Sequence, residues 1–65
     1  MYKNKIKETR KMQGLTLMKL AEITGISAGY ICHLEKGTRK NPSAQMMEKI
    51  AVALKKSVHE VFFVE

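Results

Sequence analysis

Between positions 27 and 36 the chain carries Ser27, Cys32, His33 and Lys36, and Thr38, Arg39, Lys40 and Asn41 follow directly. Hydroxyl, imidazole, amide and cationic groups in such density are hydrogen-bond donors suited to holding an anion. The run Lys36-Gly37-Thr38-Arg39-Lys40-Asn41 contains three cations and no acid. Covalent catalysis needs a nucleophile beside an oriented base, and no such set is apparent. Aspartate is absent, as is a glycine-rich phosphate loop. Cys32 and His33 are neighbours that point apart on a helix, and with His59 they give no four-ligand spacing, so no metal site is expected. A thiol beside cations can sense redox change, although cysteine is also an ordinary small helix residue. Binding is therefore expected rather than enzymatic turnover, with no cofactor and no small-molecule ligand evident.

Those residues need a scaffold, and residues 16–37, TLMKLAEITGISAGYICHLEKG, supply one. Thr16 can cap a helix by accepting an orphaned amide. Leu17, Leu20, Ala21 and Ile23 then recur at helical spacing. Gly25 suits the left-handed position after a helix end. Ser27 can cap a second helix from Ala28 to Lys36, closed by Gly37. The pattern is a helix-turn-helix. At about 100° per residue, Ala28, Ile31, Leu34 and Glu35 fall on one side of the second helix. Gly29, Cys32, His33 and Lys36 fall on the other, with Tyr30 at the border. An outer face so small, polar and cationic suits the DNA major groove.

Composition agrees. Twelve basic and six acidic residues give a net charge of +6, a balance that favours polyanions such as DNA, RNA or an anionic membrane surface. The 65 residues form one domain, residues 1–65, near the lower size limit for folding alone. The single cysteine rules out an internal disulfide and fits a reducing, cytoplasmic setting. No apolar run approaches the ~20 residues of a membrane span. The basic opening MYKNKIKETRK lacks the apolar core of a signal peptide.

Leu20-Ala21, Gly25-Ile26-Ser27, Ile31, Leu34-Glu35, Gly37 and Asn41-Pro42-Ser43, in that order, resemble the Cro/CI-type helix-turn-helix family of repressors, also called the XRE family. The likeness continues through Ile50-Ala51, Ala53-Leu54, Ser57, Glu60 and Phe62, covering nearly the whole chain. The longer loop before Asn41 is most similar to that of SinR-type repressors. The resemblance implies an all-α, five-helix, lambda-repressor-like DNA-binding domain. It also implies that an arginine at Arg10 pairs with Glu35, tying the first helix to the recognition helix. Two solvated charges are the alternative. Several positions depart from the family. Thr9 stands where a leucine is usual, and Leu17-Met18 where a phosphate-binding glutamine is usual. Lys55-Lys56 replace a glycine and an apolar residue, which forces Lys55 toward a left-handed conformation.

Base contacts are expected from Ser27, Ala28, Gly29, Cys32 and His33. Ala28 offers only an apolar contact to a thymine methyl, and Gly29 only a close approach. Phosphate contacts are expected from Thr16, Lys19, Tyr30, Lys36, Thr38, Arg39, Lys40 and Asn41. The first helix should run from about Asn4 to Gln13, with Ile6 and Met12 inward. The fourth begins at Ser43, with Met47, Ile50, Ala51 and Leu54 inward, and Ser57 with Glu60 forms a capping box for the fifth. Met46, Val52, Phe62, Phe63 and Val64 then exceed what the core needs and form a candidate homodimer surface. The alternative is that Phe62 and Phe63 both fold back into the core. The expected function is sequence-specific binding of double-stranded DNA by a homodimer, most simply a repressor that occludes a promoter at an inverted repeat. The competing class is a protein-interaction module resembling an antitoxin-like partner.

Overall fold

Each helix begins where a side chain takes up an amide that the helix itself cannot satisfy. A computed structural model describes residues 4–38 and 42–63. Among these residues the order is α1 (Ile6–Met12), α2 (Leu17–Thr24), α3 (Ala28–Lys36), α4 (Ala44–Ala53) and α5 (Val58–Phe62), with no strand. Thr16 accepts from the Lys19 amide at 3.0 Å, and Ser27, Ser43 and Ser57 accept from Tyr30, Met46 and Glu60 at 3.1 Å each. Each such cap stabilises its helix by about 1 kcal/mol. Glu60 reciprocates by accepting from the Ser57 amide at 2.9 Å, which completes the expected capping box. That backbone bond, and then the one with the Ser57 side chain, holds the Glu60 carboxyl below its ordinary pKa. α1 starts two residues later than Asn4 because the Asn4 side chain does the capping. Its Oδ1 accepts from Ile6 N at 3.1 Å while its Nδ2 donates to the Leu34 carbonyl at 2.8 Å.

The core gathers Ile6 from α1, Leu20 from α2, Ile26 from the turn, Ile31 and Leu34 from α3, Ile50 and Ala51 from α4, then Leu54, Val61 and Phe62. Met12 and Ile23, expected inside, are 82% and 51% exposed. One geometric reason covers both. The buried stripe of α1 runs Ile6, Thr9, Arg10, and the next position on that face is Gln13, seven residues on, rather than Met12 at six. Gln13 donates from Nε2 to the Leu54 carbonyl at the end of α4. In α2 the stripe runs Leu17, Leu20, Ala21, and the seventh step is Thr24, whose hydroxyl donates to the Leu20 carbonyl at 2.8 Å and accepts from the Ile26 amide at 3.2 Å.

Of the residues assigned to a shared surface, Phe62 belongs to the interior instead and Met46 is partly drawn into it. Met46 lies one turn before Ile50 on the same face of α4 and packs, half-buried, against the core. Phe62 is only 3% exposed. Phe63 turns out, 57% exposed, with its ring stacked on His59 at a centroid distance of 5.8 Å. Val52 is 68% exposed, and Val64 lies outside the described residues.

α1 is joined to α3 by charge. Arg10 Nε donates to Glu35 Oε2 at 2.8 Å, and Nη2 donates to Oε1 at 3.3 Å. Nη1 donates to the Leu15 carbonyl in the α1–α2 connection at 2.9 Å. The two side chains retain only 10% and 6% of their exposure, so each charge depends on the other for the solvation that water no longer supplies. Among the described residues, no buried side-chain nitrogen or oxygen lacks a partner.

Two stability outcomes follow. Arg10→Met should lower urea-measured stability by about 3 kcal/mol, because it strands the Glu35 carboxylate, and adding Glu35→Leu should recover most of that loss. Equal losses in the single and double variants would mean that the pair is not coupled. Lys55 has φ +59°, the left-handed strain foreseen at that position. Lys55→Gly should therefore raise stability by roughly 0.5–1 kcal/mol, the strain relieved exceeding the entropy glycine adds to the unfolded chain.

Candidate nucleic-acid interface

The outer face of α3 is set by what happens at its two ends. Gly25, with φ +75°, stops α2 in a left-handed turn, and Ile26 drives into the core directly after it. The chain thus re-enters helix at Ser27 with a fixed register. Gly37, with φ +78°, stops α3 in the same way. Its amide bonds to the Leu34 carbonyl at 3.1 Å, and the Thr38 amide bonds to the His33 carbonyl at 3.1 Å. This paired closure leaves few orphan carbonyls at the helix end. Between the two stops, Ile31 and Leu34 are fully buried, and their burial turns the opposite face to solvent.

Of the expected base-facing residues, Ser27, Gly29 and His33 are exposed, while Ala28 and Cys32 are half-buried. Tyr30, at the border, is half-buried and packs against the core. A Cβ added at Gly29 would meet nothing within 4 Å. The Ser27 hydroxyl already accepts the Tyr30 amide, but its hydrogen remains available to donate. Among the described residues no group of His, Cys, Asp and Glu could hold a metal ion. Among the described residues no helix is long and apolar enough to cross a membrane.

Of the expected phosphate-facing residues, Thr16, Lys19, Lys36 and Thr38 are exposed. Thr16, Met18, Lys19 and Glu22 of α2 face Gly25 and Ser27 across a shallow concavity. Lys19 Nζ lies 3.2 Å from Glu22 Oε1, a solvent-screened pair of little strength that a stronger anion can displace. Met18 is 72% exposed and contributes an apolar spot to the same rim. Lys36 closes α3 with its ammonium in solvent. Arg39, Lys40 and Asn41 lie outside the described residues.

Two features of this face escape a reading of residue types. The Thr38 hydroxyl lies 3.0 Å from His33 Nδ1 and donates to the His33 carbonyl at 3.2 Å. The sequence signal for it is slight: a threonine directly after a helix-stopping glycine, five residues beyond a histidine. The other is the partial neutralisation of Lys19 by Glu22, legible as an (i, i+3) pair.

With the geometry in place, comparison with known proteins is informative. A family model described as helix-turn-helix matches residues 6–61. The HTH-type transcriptional regulator SinR of Bacillus subtilis (strain 168) is 40% identical over 55 residues, covering 85% of this chain and 50% of the relative. The chain therefore spans about half the length of that regulator. The crystal structure of SinR, the master regulator for biofilm formation, in complex with DNA superposes with a TM-score of 0.81 at 40% identity, covering 85% of this chain and 87% of that one. The N-terminal DNA-binding domain of SinR from Bacillus subtilis superposes with a TM-score of 0.79 at 40% identity, covering 85% and 80%.

Proposed function

The chain belongs to the helix-turn-helix (XRE) family, and on that premise we propose that it is a sequence-specific DNA-binding transcriptional regulator, a repressor acting as a homodimer on an inverted repeat. One observation carries the reading: an exposed, acid-free outer face on α3, fixed between two left-handed glycines, on a scaffold that superposes on a SinR domain crystallised with DNA. In this arrangement the outer face of α3 enters the major groove. Ser27 and His33 supply polar contacts to base edges. Ala28 and Cys32 pack alongside, and Gly29 lets the helix axis approach. The α2 N-terminus offers its free amides and the Thr16 hydroxyl hydrogen to a phosphate. Lys19 and Lys36, joined by Arg39 and Lys40, neutralise phosphates, and the Asn41 amide donates a hydrogen bond to one.

So few base readers leave one copy of the domain little better than non-specific. Two copies related by a twofold axis reach successive major-groove faces roughly 34 Å apart, multiplying modest contacts into a usable site. Of the residues expected at the dimer surface, Val52 and Phe63 are exposed, both outside the proposed DNA face, and Met12 and Ile23 are exposed apolar residues as well.

A mobility-shift assay on DNA upstream of the chain's own coding sequence, run as a salt series, tests the function. Retention should fall steeply with salt, and Lys36→Ala should weaken binding to all sequences alike while shallowing the salt dependence by about one ion. A loss confined to the best site, with the slope unchanged, contradicts a phosphate role for Lys36. Failure to retain any DNA favours the interaction-module alternative instead.

The dimer is tested by sedimentation alongside binding. Phe63→Ser should yield a folded monomer that still binds a half-site weakly and loses the full inverted repeat. A parent chain that remains monomeric well above its DNA-binding concentration, and that places no second copy on DNA, removes the dimer from the account.

A further inference from the structure

The contact between His33 and Thr38 fixes more than the end of α3. A threonine hydroxyl has one hydrogen and two lone pairs. The Thr38 hydroxyl stands 3.2 Å from the His33 carbonyl, which can only accept, and 3.0 Å from His33 Nδ1. If the hydroxyl hydrogen went to Nδ1, two oxygen lone pairs would face each other across the remaining contact. Both contacts are hydrogen bonds only when the hydroxyl donates to the carbonyl and Nδ1–H donates to the hydroxyl. In a neutral imidazole the other nitrogen, Nε2, is then a bare acceptor.

We infer that Thr38 locks His33 as the Nδ1–H tautomer, so that α3 presents an acceptor to DNA and reads an exocyclic amino group, adenine N6 or cytosine N4, rather than the acceptor edge of guanine. This inference rests on the DNA-binding reading above. The lock follows from backbone geometry. Gly37 takes a left-handed φ of +78°, and the Thr38 amide bonds to the same His33 carbonyl at 3.1 Å, which seats Thr38 over the last turn of α3. The side chain is positioned before any ligand arrives. His33 is also exposed, and its contacts with Thr38 engage Nδ1 and the carbonyl only, so Nε2 is accessible to a ligand that approaches α3. The same bond leaves the Thr38 hydroxyl with no hydrogen for a phosphate. Thr38 is thereby a positioning residue rather than one of the phosphate contacts expected of it.

Two readouts test this, one of them independent of DNA. Long-range proton–nitrogen spectra of the free chain at pH 8, where imidazole is ordinarily neutral, should show His33 protonated at Nδ1. In Thr38→Val, which keeps the branched shape and removes the hydroxyl, that preference should vanish. Site selection with the parent chain and His33→Ala then identifies the base pair at which preference depends on His33. At that position, an adenine replaced by purine, or a cytosine by 2-pyrimidinone, loses only its amino group. That loss should weaken parent binding about tenfold, leave His33→Ala nearly unaffected and weaken Thr38→Val by less than the parent. Removing guanine N7 with 7-deazaguanine should change nothing. His33 protonated at Nε2 in the free chain overturns the lock, and sensitivity to 7-deazaguanine without sensitivity to amino loss overturns the acceptor assignment. A chain that binds no DNA overturns the DNA reading and the base assignment with it, while the spectrum still decides the lock on its own.

Discussion

The buried fork between Arg10 and Glu35 is the constraint on which the arrangement of helices rests. A hydrophobic contact tolerates sliding, because its energy follows area rather than direction. A guanidinium set against a carboxylate, with its third nitrogen on the Leu15 carbonyl, permits one relative placement of α1, the α1–α2 connection and α3. The Asn4 amide on the Leu34 carbonyl adds a second tie at the start of α1. In a chain of 65 residues whose fully buried large side chains are all aliphatic among the described residues, directional bonds supply the orientation that a small oily core does not. The outer face of α3 is presented at a defined angle because its inner face is held by charge.

Local chemistry made most of the fold legible before any packing was known. All four cap hydroxyls, on Thr16, Ser27, Ser43 and Ser57, bond as their positions required, since capping depends on neighbours two or three residues away. The left-handed strain at Lys55 was legible only through the family resemblance, which places a glycine there. Errors came where apolar character and position disagreed. Met12 and Ile23 are hydrophobic at six residues from a stripe's start, and Gln13 and Thr24 are polar at seven. Periodicity alone favours the greasy residue, whereas the structure buries Thr24, which finds the Leu20 carbonyl, and ties the exposed Gln13 to the Leu54 carbonyl. Those partners lie on other turns or other helices, so a linear reading has no access to them. Phe62 and Phe63 were indistinguishable by type, and only the short length of α5 decides which ring reaches the core.

The candidate site divides the same way. Which residues of α3 face out followed from helical phase. What their polar atoms do depended on the chain's path past Gly37, and that path brings Thr38 back over His33. Exposure of a side chain was therefore readable from sequence, and the direction of its hydrogen bonds was not.

Gly29 brings the fold and the proposed function into one argument. A glycine inside a nine-residue helix costs about 1 kcal/mol relative to alanine. Internal packing gives no return for that cost. Its φ is not left-handed, and a Cβ there would stand in open space. Gly25 and Gly37 are different, since each occupies a backbone conformation that side chains rarely adopt. A residue that internal packing does not call for, on the face of α3 turned away from the core, fits the proposed close approach of a ligand to the helix backbone. A wide, rigid, anionic groove meets that description. The long readers that such a helix often carries would hold the groove at arm's length, and in the proposed reading their absence lets the backbone come close enough for His33 and Ser27, which are short, to reach.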